Sequence, residues 1–136
     1  MEEVVDSSAL AKFLLKEKGW ERVREVLRGR PYILGLEEVA NALWKRVVLL
    51  RDVGRGKAVV LLNDLLGMGR GVLRIEPQEW YIHHAFEIAV RKGITIYDAL
   101  FIAQALSKGA ALVTSDEEQY RKALELGLPA GLEARV

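Results

Sequence analysis

Short β-rich runs alternate with longer stretches of helical periodicity along this chain, and that alternation limits its fold more than any other feature. Glu3-Val4-Val5-Asp6 reads as a short buried strand, and Ser7-Ser8 then opens a helical pattern carrying Leu10, Phe13 and Leu14 until Gly19. A second helix is predicted over Trp20–Leu27, followed by an extended piece, Pro31-Tyr32-Ile33-Leu34. Leu36, Val39, Ala40, Leu43, Val47 and Leu50 recur at helical spacing before Gly54 stops the run, and Arg55–Leu66 reads as another helix. After the glycine-rich connection Gly67-Met68-Gly69-Arg70-Gly71, Val72–Ile75 reads as a strand and Pro77 begins a helix to about Arg91. Ile96–Leu106 is helical and strongly apolar, Ala111–Thr114 is a strand, and Asp116–Leu126 is a helix. A last strand is expected near Gly131–Arg135. Strands alternating with helices give an α/β fold with a mainly parallel sheet.

With 136 residues and no repeat or linker, a single domain is expected over the whole chain. Hydrophobic residues at 51% and charged residues at 29% fit a packed core rather than a disordered chain. The absence of cysteine excludes a disulfide framework, a thiolate nucleophile and a cysteine-based zinc site. The start, Met1-Glu2-Glu3-Val4-Val5-Asp6, is acidic rather than basic, and no uninterrupted apolar run approaches ~18 residues. A cytoplasmic location without membrane association is therefore expected. A net charge of +1 gives no bulk argument for nucleic acid. Lys45, Arg46, Arg51, Arg55, Lys57, Arg70 and Arg74 nevertheless fall together in the middle third, either as phosphate contacts or as solvated helix surface.

In open α/β sheets, ligands bind beyond the carboxyl ends of the strands, where the strand order reverses. Asp6 follows the first strand and Asp116 follows Leu112-Val113-Thr114, so both stand at such ends. Asp98 and Glu38 lie near helix starts that can face the same edge. Carboxylates gathered without His or Cys suit a hard cation, Mg²⁺ or Mn²⁺. Clustered like charges raise one another's pKa values, and a cation relieves that repulsion while activating water against a phosphodiester.

Val4-Val5-Asp6-Ser7-Ser8-Ala9-Leu10, Glu38-Val39-Ala40-Asn41, Tyr97-Asp98-Ala99-Leu100 and Leu112-Val113-Thr114-Ser115-Asp116 closely resemble, in order and spacing, the four motifs of PIN domains. The size resembles most the VapC-type toxins of toxin–antitoxin pairs. The resemblance implies a three-layer α/β/α sandwich and an endoribonuclease using Mg²⁺ or Mn²⁺, with Asp6, Glu38, Asp98 and Asp116 as catalytic and metal-binding acids. It further implies that Ser8 and Thr114 are hydroxyls orienting carboxylates or metal-bound water. Asn41, one helical turn after Glu38, is placed to hydrogen-bond that carboxylate. RNA is the implied substrate, an antitoxin the implied protein partner, and a homodimer the implied assembly. The helices Leu36–Leu50 and Arg55–Leu66 are expected to contribute to the dimer interface.

Structural explanations compete at each acid. Asp6 can cap a helix, Asp98 can form a capping box with Thr95, Asp116 suits a first helical turn, and Glu38 can be a solvated helix residue. A non-catalytic PIN-like module that binds RNA or protein is the alternative function. A phosphatase with an aspartyl nucleophile fits poorly, because Asp6-Ser7-Ser8 lacks a second aspartate. Adjacent His83 and His84 diverge on a helix and read as surface or partial core. Trp20, Trp44 and Trp80 sit in apolar helical patterns that favour core or dimer interface. The Gly67–Gly71 run follows a helix and precedes a strand, the reverse of a phosphate loop.

Overall fold

A computed structural model describes residues 2–128 and 130–132. β1 (Glu3–Val5), β2 (Tyr32–Ile33), β3 (Arg74–Ile75), β4 (Ala111–Thr114) and β5 (Ala130–Leu132) form one sheet in the order β3-β2-β1-β4-β5. Every described pairing is parallel, so the sheet goes beyond the mainly parallel one expected. β1 is central, with Val4 opposite Tyr32 on one side and Leu112 on the other. A parallel strand covered on both faces needs apolar residues throughout, and Val4 and Val5 are both fully buried.

Helices cover the two faces of the sheet. α1 (Ser7–Leu14), α2 (Trp20–Leu27), α3 (Glu37–Val48) and α4 (Arg55–Met68) pack together, α1 touching the other three. α6 (Ile96–Lys108) lies on β1 and β4, with α5 (Ile82–Lys92) against it, and α7 (Glu117–Glu125) packs on β4 and β5. This is the three-layer α/β/α arrangement expected. α6 explains its own strongly apolar sequence: Ala99 through Ala105 are all buried, as a helix between a sheet and a second helix requires. Each fully buried leucine or isoleucine there contributes about 1.5–3 kcal/mol. Gly93 and Gly109 close α5 and α6 at φ +66° and +61°, a conformation that glycine adopts without a Cβ clash.

Four expected elements come out differently. The helix predicted from Pro77 to Arg91 starts instead as a 3-10 turn, Gln78–Tyr81, before α5. Tyr81, buried with its hydroxyl donating to Glu76 at 2.6 Å, takes a non-helical φ of −117° that separates the two pieces. The strand predicted at Val72–Ile75 is shorter, because the Val72 and Leu73 N–H groups close α4 by donating to the Met68 carbonyl. α4 thus runs through Gly67 to Met68, into the stretch read as a loop. The last strand is Ala130–Leu132, and positions 133–135 of the expected one lie outside the described residues.

The tryptophans divide. Trp20 is half-buried, edge-on to Phe13 at 6.0 Å between ring centres. Trp44 and Trp80 are exposed and belong to no core. Trp44 lines an apolar groove between α3 and α4 with Leu43, Val47, Val48, Val59 and Leu62. α4 explains the groove: it is apolar nearly all round but buries only Leu65. His83 and His84 are exposed, as expected of surface residues.

Candidate active site

The order β3-β2-β1-β4-β5 reverses direction between β1 and β4, and a pocket of about 300 Å³ opens at their carboxyl ends. Asp6, Glu38, Asp98 and Asp116 all line it, with Ser7, Ser8, Asn41, Ala42, Lys45 and Phe101. The four acids expected to converge do so.

Asp6 is fixed first by the backbone: its N–H donates to the Val113 carbonyl at 3.1 Å, continuing the β1–β4 pairing into the site. Its carboxylate then caps α1, with Oδ1 accepting from Ala9 N–H at 3.0 Å and from the Ser8 hydroxyl at 2.6 Å. The capping role is therefore real and coexists with a place in the pocket. Ser8 Oγ in turn accepts from Ser115 N–H at 2.9 Å and lies 3.2 Å from Thr114 Oγ1. A serine has one hydroxyl proton. With that proton on Asp6, the Ser8–Thr114 contact has Thr114 as donor. Thr114 Oγ1 also accepts from Asp116 N–H at 3.0 Å. Ser8 and Thr114 thus stitch the end of β1 to the end of β4.

Asp116 is the N-cap of α7 rather than a first-turn residue, its Oδ1 accepting from Glu118 and Gln119 N–H at 2.8 and 3.1 Å. Asp98 enters from α6, whose N-cap Thr95 accepts from the Asp98 N–H at 3.3 Å. Glu38 comes from the first turn of α3. Asn41 faces the same pocket without hydrogen-bonding Glu38, contrary to expectation: a shared helix face brings the two together but does not close a bond.

Burial and mutual repulsion act on these acids together. Desolvation pushes Asp6 up from 3.8 to about 6 against the hydrogen bonds from Ser8 and Ala9 and the nearby Thr114 hydroxyl, and Asp116 adds to the rise. Glu38 is raised by burial, then by the charges of Asp98, Asp6 and Glu37, with the Ser7 hydroxyl opposing. That hydroxyl makes no hydrogen bond of ordinary geometry, so its pull on Glu38 is a weak, longer-range one. Asp98 is raised by burial and by Asp116, with the nearby Thr95 hydroxyl opposing.

The donor set is carboxylate oxygen with hydroxyls beside it, which fits a hard dication and not a soft one. Among the described residues no three His, Cys, Asp or Glu side chains stand close enough to hold one ion between them. That spacing also fits Mg²⁺, which keeps several waters and is held through one or two carboxylates rather than a closed protein cage.

The PIN domain family model matches residues 4–125, from β1 to the last residue of α7. This chain belongs to the PIN-domain family. It is 31% identical to "Ribonuclease VapC3" of Pyrobaculum aerophilum across 90% of this chain and 95% of that protein. It is 34% identical to "Exonuclease VapC9" of the same organism across 90% of this chain and 86% of that one. Its fold is similar to the crystal structure of PAE2754 from Pyrobaculum aerophilum, with a TM-score of 0.70 and 29% identity over 96% of this chain and 83% of the other.

Two residues of this PIN domain's pocket region were missed as individuals by sequence reasoning. Gln119 is 3% exposed and donates through Nε2 to the Asp98 carbonyl at 3.0 Å, while its N–H caps onto Asp116. It ties α7 to α6 and so sets two of the four acids relative to each other. In Glu117-Glu118-Gln119-Tyr120 it reads as solvated surface, and only its reach to the Asp98 carbonyl shows otherwise. Lys45 was visible only as one charge in a basic stretch, yet it lines the acidic pocket.

Proposed function

We propose that this PIN domain is a metal-dependent endoribonuclease that hydrolyses RNA phosphodiester bonds as the toxin of a type II toxin–antitoxin pair. The observation that carries the reading is the convergence of Asp6, Glu38, Asp98 and Asp116 on one pocket at the β1–β4 switch point. The names of the two relatives, a ribonuclease and an exonuclease, support a nuclease. In this reading the four acids would hold Mg²⁺ or Mn²⁺ between them with the help of water, one or two carboxylates directly. A cation held there would supply charge neutralisation at the phosphodiester and a lowered pKa for an attacking water. Asp6 is held in a single orientation by Ser8, which leaves less reorganisation when an ion or substrate arrives. Asp116, with Oδ1 occupied by two N–H groups, keeps Oδ2 for the pocket.

Two partners complete the proposal. An antitoxin covers the acidic pocket, and a second copy of the chain packs on the apolar α3–α4 surface, where Val59 and Val60 are 50% and 59% exposed. Among the described residues no helix is long and apolar enough to cross a membrane.

The test is cleavage of a labelled RNA pool in Mn²⁺, in Mg²⁺ and in EDTA, with Asp98→Asn alongside and a circular RNA included. Metal-dependent cutting of the circle, lost in the variant, is expected, since a circle offers no end to an exonuclease. Cutting of linear RNA alone would assign an exonuclease. Binding without cutting in either metal would favour the non-catalytic module.

A further inference from the structure

A polyanion that enters this pocket meets four carboxylates. Until a cation is bound, like charge repels it, and some group of the protein has to hold the nucleic acid against that repulsion. Lys45 is the one cationic residue among those lining the pocket. It lies on α3 two turns beyond Glu38, with Asn41 and Ala42 between them on the same face. At about 1.5 Å per residue this sets it roughly 10 Å along the helix from Glu38.

Lys45 is exposed, and its ammonium makes no hydrogen bond or ion pair among the described residues. Its neighbour Arg46 is the contrast. Arg46 is locked by Asp52 at 2.7 Å and by Glu17 at 3.0 Å, and so is committed to holding the end of α3. Of two adjacent basic residues, one is structural and the other stands free at the mouth of an acidic pocket.

We infer that Lys45 is a phosphate-binding residue, which contacts a backbone phosphate next to the scissile one and holds single-stranded RNA before any metal is bound. This rests on the nuclease reading above and deepens it. The distance along α3 places the contact beside the reacting phosphodiester rather than on it, so Lys45 acts on binding and not on the chemical step. A lysine serves here as a compact point charge with three donors, and its flexible stem follows a moving backbone.

The test is the binding of a short fluorescein-labelled single-stranded RNA to the full chain in EDTA, followed by anisotropy between about 50 and about 200 mM salt. Lys45→Ala, Lys45→Arg and Lys57→Ala are compared with the unaltered protein. Lys57 is exposed on α4 and does not line the pocket, so its variant removes the same charge elsewhere. One phosphate contact on a single strand contributes about 0.7 to the slope of log affinity against log salt, or about five-fold in affinity near 0.1 M salt. Lys45→Ala is expected to lose both, Lys45→Arg to keep most of each, and Lys57→Ala to resemble the unaltered protein. With Mg²⁺ or Mn²⁺ present, Lys45→Ala should raise KM with kcat little changed.

An unchanged salt slope in Lys45→Ala overturns the inference, as does an equal loss in Lys57→Ala, which would show a diffuse charge effect. Failure of the unaltered protein to bind RNA in EDTA also overturns it. If that protein still cuts RNA in Mn²⁺, the nuclease reading stands and only the role of Lys45 falls.

Discussion

Replacing Asp6 by asparagine should stabilise the metal-free protein while abolishing cleavage, and the stabilisation should depend on pH in a defined way. Asp6 is 5% exposed, and its carboxyl is pushed from 3.8 to about 6 on folding, chiefly by burial. A carboxyl raised on folding resists ionisation in the folded chain. Its protonated form is the more stable one there, and stability falls as pH rises from the unfolded value through the folded one. At about 1.36 kcal/mol per pKa unit, the gap amounts to about 3 kcal/mol at pH 7 and about 0.5 kcal/mol at pH 4. Asparagine keeps an oxygen that accepts from Ser8 and Ala9 and is an equally good N-cap, so little is lost with the charge. With an unfolding entropy of about 2.1 cal/mol/K per residue over the 136 residues, 3 kcal/mol corresponds to a rise in Tm of about 10 °C. The assay is thermal unfolding of both proteins in EDTA at about pH 4 and about pH 7, where the difference between them cancels the titration of shared groups. A Tm difference that is the same at both pH values would refute the reasoning. So would an Asp6→Asn protein less stable than the original at neutral pH.

Three further outcomes follow from contacts elsewhere. Gln119→Leu keeps the buried volume but removes the donor to the Asp98 carbonyl, so cleavage should fall roughly ten-fold or more through misplacement of the acids; an unchanged rate would end that positioning role. Lys108→Ala removes a 2.7 Å ion pair to Glu76, whose side chain is 13% exposed. Burial raises the Glu76 pKa, but the donors Gln104, Lys108 and Tyr81 outweigh it and hold the group below its usual value. The variant should lose about 2 kcal/mol near pH 7, measured by urea unfolding. Because a lowered carboxylate stabilises above its unfolded pKa, that loss should shrink as pH falls below about 4.5, and a loss independent of pH would assign it to packing. Val59→Asp places a charge on the exposed apolar face of α4 and should shift the chain from dimer to monomer in sedimentation at micromolar concentration. A chain that is already monomeric before the substitution would remove the proposed α3–α4 interface.

The central strands, α6 and the ends of β1 and β4 were legible because their signals are local: a β-rich apolar run, a capping residue, a periodic stripe. The acids at Asp6 and Asp116 follow from those ends. What escaped the sequence depends on side-chain contacts and exposure that periodicity does not encode. Tyr81 breaks the expected Pro77–Arg91 helix because its hydroxyl reaches Glu76. Gln119 is buried on a helix packed against β4 and β5, and its amide reaches the carbonyl of Asp98, 21 positions away. Trp44 and Trp80 sit in apolar patterns that signal burial, but α3 and the 3-10 turn present them to solvent. Asn41 shares a face with Glu38, yet periodicity cannot say whether two polar ends meet.

The stitching of Ser8 to Thr114 and Ser115 has a bearing on how the chain is made. Those contacts join residues 106 and 107 positions apart, and the β1–β4 ladder beneath them pairs residues 108 apart, such as Val4 with Leu112. A growing polypeptide displays Asp6, Glu38 and Asp98 well before Asp116 emerges. At about 5–20 residues per second, Asp6 waits roughly 5–20 s for the residues that orient it. Until then β1 has no β4 to lie against, and Ser8 has neither the N–H of Ser115 nor the hydroxyl of Thr114. The pocket is therefore a late product of synthesis. Asp6, Glu38 and Asp98 are all made before the strand and the helix cap that complete the cluster, and translation itself delays the appearance of the site.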